Sequence, residues 1–131
     1  MIEPKQQTLE LLNASFDVVR LEPDMDITAW ATNGPLASIT RTSEELSILC
    51  LDASVPKSVK AERGFRCFQV QGPLDFTEVG VLASLAQPLA EAGVSIFVLS
   101  TFDTDYLLVR GSDLPLAQDA LVEAGHSVEA V

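Results

Sequence analysis

From Gly64 onward the apolar positions switch repeatedly between a period of two and a period of three to four. "FRCFQVQG", residues 65–72, is short, rich in aromatic and β-branched side chains, and stopped by Gly72-Pro73, which predicts a strand. The next stretch, "LDFTEVGVLASLAQPLAEAG", carries Val79, Leu82, Leu85, Ala86 and Leu89 at helical spacing. Asp75 and Glu78 stand there as a capping box and Gly93 as the stop, while Pro88 removes a backbone donor and predicts an irregular last turn. "VSIFVLST" and "YLLVRG" read as two strands on either side of residues 102–105. A second helix is expected over "SDLPLAQDALVEAG", with Ser112 or Asp113 as cap, Pro115 in the first turn and Gly125 at the exit, before a last strand around "HSVEAV". The order is βαββαβ. Two helices covering one face of an antiparallel sheet, the ferredoxin-like arrangement, fit that order.

The first half is less regular. "TLELL" and "FDVVRL" are strand candidates separated by Asn13-Ala14-Ser15, "PDMDITAWATNG" holds at most a short helix, and "LASITRT" and "ELSILCLDA" form another strand pair. Trp30 in the short segment reads as a core plug. "RTSEELSILC" and "STFDTDYLLV" match in plan, Thr42 with Thr101, Glu44 with Asp103, and residues 48–50 with 107–109. We read this as a diverged internal repeat. The fold class expected is α+β, two ferredoxin-like repeats with antiparallel sheets: residues 1–63, with a reduced helix, and residues 64–131. "VPKSVKAERG" joins them. In "SIFVLS" both alternating sets are apolar, the pattern of a strand covered on both sides, which predicts a homodimer formed through the second repeat.

Composition narrows the function. The 131 residues are 47% hydrophobic and carry a net charge of −11, enough for one core or two small fused ones. After Arg66 the only Lys or Arg is Arg110, so the second half lacks the cations that drive nucleic-acid binding, and no nucleic-acid partner is expected. No apolar run approaches the roughly 18 to 20 residues of a membrane span, and "MIEPKQQTLE" has neither the basic start nor the apolar run of a signal peptide. No membrane partner and a cytoplasmic location are expected. Cys50 and Cys67 lie in apolar segments without metal-ligand spacing and read as buried free thiols.

"GPLASITRTSEELSILC" and "GPLDFTEVGVLASLAQPLAEAGVSIFVLSTFDTDYLLV" together resemble the tandem ACT-type domain proteins of bacteria and the repeats of the mammalian cytosolic arginine sensor CASTOR. The resemblance covers most of residues 16–128. It implies a regulatory, non-catalytic βαββαβ module that pairs with further copies and holds an amino acid where copies meet. It also implies a ligand between the loop after the first strand and the end of the second strand of the second repeat. Thr101, Phe102 and Asp105 match one side, with Asp105 as partner of a cationic group, and Leu74, Glu78 and Val81 match the other. Thr104 stands where the sensor has an aromatic residue, and Asp75 where it has a glycine. The ligand class implied is a cationic or zwitterionic amino acid, arginine first.

Physical chemistry supplies a parallel argument. An amino acid needs acceptors for its ammonium and donors for its carboxylate, and the first turn of a helix supplies unpaired backbone N–H groups. Glu78 fits either a cap or a ligand contact, and residues 103–105 fit either a ligand lip or an ordinary turn. Asp-Thr-Asp alone is a poor Mg²⁺ site, since no phosphate-cradling loop accompanies it; no cofactor, no metal and no catalytic residue are expected. His126, after the helix-ending Gly125, suits an imidazolium facing the helix C-terminus better than a catalytic base. The alternative to an amino-acid-responsive module is a structural pairing or protein-interaction domain without a ligand.

Overall fold

The computed structural model describes residues 6–75 and 79–130. Among them the chain forms strands β1 (Thr8–Leu21), β2 (Ser38–Arg41), β3 (Leu46–Leu51), β4 (Ala61–Val70), β5 (Ile96–Ser100), β6 (Asp105–Arg110) and β7 (Ser127–Ala130). Two helices, α1 (Val81–Glu91) and α2 (Leu114–Glu123), complete it. The residues gather into two compact units, one made of those up to Asn13 and from Arg66 onward, the other Ala14–Phe65. β1 and β4 each contribute residues to both.

In the first unit the neighbouring strands run β7, β1, β4, β6, β5. β5 and β6 pair antiparallel from Ile96↔Val109 to Ser100↔Asp105, and β7 pairs parallel with the start of β1 from Thr8↔Ser127 to Leu11↔Ala130. Alternation places Leu9, Leu11, Phe68, Val70, Leu107 and Val109 on one side, where they bury Val81, Leu85 and Leu89 of α1 with Ala117 and Leu121 of α2. Both helices therefore cover one face, as the βαββαβ order requires. The start of β1 stands between β4 and β7 in this sheet.

The second unit pairs β2 with β3 (Ile39↔Ile48) and β3 with the rest of β1 (Val19↔Ile48), both antiparallel. Val19, Leu46, Ile48 and Cys50 pack there against a 3-10 turn, Ala29–Thr32, with Ala31 buried and Trp30 beside it. The core plug expected of Trp30 is this packing. Asp17, within β1, is also buried, and the Arg63 guanidinium reaches its Oδ2 at 3.0 Å.

Three local expectations change. "TLELL" and "FDVVRL" are one strand of 14 residues, because residues 13–15 stay extended between two hydrogen-bonded halves instead of turning. The first helix begins at Val81, not near Asp75: Gly80 is its N-cap at φ +85°, a left-handed conformation through which a helix cannot run. The expected capping box of Asp75 and Glu78 does not stand at this helix start, whose N-cap is five residues beyond Asp75, and Glu78 itself lies outside the described residues. α1 runs on through Pro88 to Glu91.

His126 is the third. It is 4% exposed, Gln7 N–H donates to its Nδ1 at 3.0 Å, and its Nε2 lies 2.9 Å from the Ser84 carbonyl. A backbone N–H can only donate, so Nδ1 carries a lone pair and Nε2 carries the proton offered to Ser84. The ring is a brace between α1 and the chain before β1.

Candidate functional site

The first unit holds a cleft of about 730 Å³. Three elements wall it: Leu74 and Asp75 after β4, residues 80–83 at the start of α1, and residues 100–105 at the β5–β6 turn. Of the residues singled out in the sequence, Leu74, Asp75, Val81, Thr101, Phe102, Thr104 and Asp105 all line it. Glu78 lies outside the described residues.

The hairpin lip is rigid for reasons local to its sequence. Thr101 N–H donates to the Thr104 carbonyl at 2.8 Å, and Thr104 N–H donates to Thr101 Oγ1 at 3.3 Å, so one threonine closes the turn with both backbone and side chain. Asp105 opens β6 opposite Ser100, whose hydroxyl donates to Asp105 Oδ1 at 2.5 Å. Phe102 stands 82% exposed at the tip.

The opposite lip is tied to it. Leu74 N–H donates to the Asp103 carbonyl at 2.7 Å, and Thr104 Oγ1 donates to the Val70 carbonyl at 2.7 Å, where β4 ends. Thr104 is 5% exposed, so its hydroxyl is spent inside the protein and not on the cleft. A Cβ on Gly72 would lie 3.2 Å from Asp103 O, Leu74 N and Thr104 Cβ, which is why the residue between the lips has no side chain. The Gly72-Pro73 peptide is cis.

The third wall supplies donors. At this end of α1 Ser84 N–H donates to the Gly80 carbonyl at 3.0 Å, so the N–H groups of residues 81–83 are those a helix start leaves without intrahelical acceptors. Around the mouth stand the carboxylates Asp75, Asp103 and Asp105, with no Lys, Arg or His among the described lining residues. Burial is the main cause that raises the Tyr106 hydroxyl pKa behind this lip, followed by Cys67 and the Asp103 charge. The arrangement is an anion-accepting helix start facing a cation-accepting rim.

Sequence reasoning left Ser100 and Gly80 unassigned, read Gly72 as the turn that stops the strand, and weighed Asp103 within the 103–105 turn without naming it a site residue. Ser100 could have been found from the hairpin register, since one residue outward from Thr101–Thr104 on each strand pairs it with Asp105. Gly80 carried no signal of its own inside an apparently continuous helical pattern. No group of three or more His, Cys, Asp or Glu among the described residues is placed to hold a metal.

Comparison with known proteins follows the same outline. The sequence model of the ACT domain matches residues 60–123, and a model of an N-terminal domain matches residues 14–58. The crystal structure of protein Atu0741 from Agrobacterium tumefaciens superposes with a TM-score of 0.92 at 45% identity, covering 97% of this chain and 95% of that one. The regulatory subunit of aspartate kinase from Thermus thermophilus has the same fold, with a TM-score of 0.61 at 11% identity over 86% of this chain and 93% of that one. The rat cytosolic arginine sensor for mTORC1 subunit 1 is 41% identical over 49 residues, 37% of this chain. The chain spans only 15% of that sensor's length.

Proposed function

Because this chain belongs to the ACT-domain family, we propose that it is a non-catalytic regulatory module that binds an amino acid in the cleft between Leu74, the start of α1 and the β5–β6 turn. The observation that carries this reading is the meeting, in one cleft, of the start of α1 with Asp75, Asp103 and Asp105. A zwitterion places its carboxylate at the helix start and its ammonium or guanidinium at the rim. The acidic lining favours a cationic amino acid over an acidic one, and the arginine-sensor relative makes arginine the first to test. Thr101 and Phe102 belong to this site as the ligand-facing turn, and Glu78 is assigned to it from the resemblance alone. The two repeats proposed are residues 1–63 and 64–131.

We read the module as a cytoplasmic homodimer. β5 has β6 as its neighbour at the end of the strand order, and residues 94–102 carry no charge in a chain of net charge −11. That uncharged edge is the part of the acidic molecule where a second copy meets least repulsion.

The test is a thermal-shift screen of the twenty amino acids followed by calorimetry. A ligand that binds only the folded state raises its melting temperature. Arginine or another basic amino acid should do so, and aspartate and glutamate should not. If no amino acid shifts the transition at millimolar concentration, the module is a structural pairing domain and this reading is wrong.

A further inference from the structure

The chain builds the same turn twice. In the β2–β3 hairpin Thr42 N–H donates to the Glu45 carbonyl at 2.9 Å and Glu45 N–H donates to Thr42 Oγ1 at 3.1 Å. In the β5–β6 hairpin Thr101 and Thr104 make the same two bonds at 2.8 and 3.3 Å. Glu45 and Thr104 hold equivalent positions, and the turn closes with a glutamate at that position. The Thr104 hydroxyl is therefore not needed to make the turn. It points instead into the protein and satisfies the Val70 carbonyl, next to Gly72 and the Leu74–Asp103 bond.

We propose that Thr104 is a positioning residue for the cleft: its buried hydroxyl, with Gly72, fixes the separation of the two lips, so that ligand affinity depends on a group that does not face the ligand. The inference rests on the amino-acid-binding reading above. The loop after β4 leaves the sheet once Gln71 N–H has reached the Thr8 carbonyl at 2.8 Å. Beyond that point the Leu74 amide ties it to the Asp103 carbonyl, next to Thr104, whose hydroxyl holds the β5–β6 turn to the end of β4 at Val70. The contact is close-packed on both sides. A methyl on Gly72 would press on two backbone atoms and the Thr104 side chain at 3.2 Å, spreading the lips from below. Without the Val70 bond the turn that carries Asp103, and with it the Leu74 amide that rests on Asp103, has to be ordered at the moment of binding, and ordering costs affinity.

Three variants test this with two readouts, arginine affinity by calorimetry and hydrogen exchange of the Leu74 amide by NMR. Thr104→Val keeps the side-chain shape and removes the donor. It should raise the Kd for arginine roughly tenfold, the size of one lost hydrogen bond, and speed Leu74 exchange by about the same factor. Thr104→Ser keeps the hydroxyl and should restore both values to near the parent. Gly72→Ala acts from the other side of the contact and should repeat the Thr104→Val result, which keeps the test open should Thr104→Val fold poorly. Unchanged Leu74 exchange in both Thr104→Val and Gly72→Ala overturns the proposal, as does lost affinity that Thr104→Ser leaves unrecovered. A parent that binds no amino acid overturns the binding reading and the affinity claim with it. Leu74 exchange then still decides whether Thr104 fixes the lips.

Discussion

Asp17, 2% exposed, is held by two donors from β4: Arg63 Nη1 reaches its Oδ2 at 3.0 Å, and Gly64 N–H reaches its Oδ1 at 3.0 Å. Arg63 Nη2 goes on to the carbonyls of Pro56 and Val59 at 3.2 and 3.0 Å, so one carboxylate anchors the segment that leads into β4. Arg63 is partly solvated, with 38% of its side chain exposed, which screens the pair and lowers its contribution below that of a fully buried one. Arg63→Met should cost about 1 to 3 kcal/mol, the range for hydrogen bonds to charged groups. Urea denaturation measures it, and a loss under about 0.5 kcal/mol would show the pair to be idle, as many surface pairs are.

Thr42 and Thr101 close equivalent turns, and their alanine variants separate folding from binding. Each should lose about 0.5 to 1.5 kcal/mol of stability with its side-chain bond to the turn. Only Thr101→Ala should weaken a ligand, since Thr101 lines the cleft and Thr42 does not. Equal loss of affinity in both variants would mean that binding follows global stability and not the cleft.

The thiols set an alkaline limit. Burial pushes Cys67 up to about 12 from 9.0, and burial first, then the Asp17 charge, pushes Cys50 up to about 11. Between pH 9 and these values the unfolded chain has released protons that the native state keeps. Stability is therefore full below about pH 9 and falls as pH rises through 11 to 12, by at most about 1.4 kcal/mol per pH unit for each thiol. Urea unfolding at pH 8, 9 and 10 should show the decline, and Cys67→Ala should flatten it. The absolute stability of that variant also contains a cavity cost, so the slope is the quantity to compare. An unchanged slope would assign the alkaline loss to other groups.

Much of this architecture was legible because it depends on local pattern. The strands around residues 36–53 and 94–111 stand out as short apolar runs separated by polar turns, and Gly93 and Gly125 end their helices where the apolar period stops. The cleft residues were legible for a different reason: the resemblance carried them, and the hairpin register then brought them together. What stayed hidden depends on distant partners. Residues 13–15 look like a breaker, yet they remain extended because β1 pairs with β7 at one end and with β3 at the other. His126 gave no sign that a backbone amide 119 positions away would hold its ring. Nothing in "STFDTDYLLV" points the Thr104 hydroxyl to the Val70 carbonyl.

A charge on the free edge tests the homodimer. Leu99 pairs with Tyr106 on β6, and Ile96 and Val98 point to the core, so Leu99 lies on the other face of β5. Leu99→Lys should leave the helix-covered core intact while placing a cation where a second copy would pack. Sedimentation at micromolar concentration should give twice the chain mass for the parent and a monomer for the variant. A parent that sediments as a monomer removes the dimer from the proposal.

Asp105 is the residue on which the ligand reading can be tested most directly. Its Oδ1 accepts from the Ser100 hydroxyl at 2.5 Å, and the paired strands fix its backbone, so the carboxylate is placed before any ligand arrives. Asp105→Asn keeps an oxygen for Ser100 and the same side-chain length, and removes only the charge. The fold should therefore survive, with a melting temperature close to the parent's. A cationic ligand loses a charge-assisted hydrogen bond of about 1.5 to 3 kcal/mol, so its affinity should drop by roughly tenfold to a hundredfold. A neutral amino acid, whose ammonium can use Asp75 or Asp103 on the same rim, should lose less. Equal losses for arginine and a neutral amino acid would mean that Asp105 holds the shared ammonium and not the side chain. An unchanged affinity for every ligand would leave Asp105 as a hairpin residue whose only partner of consequence is Ser100.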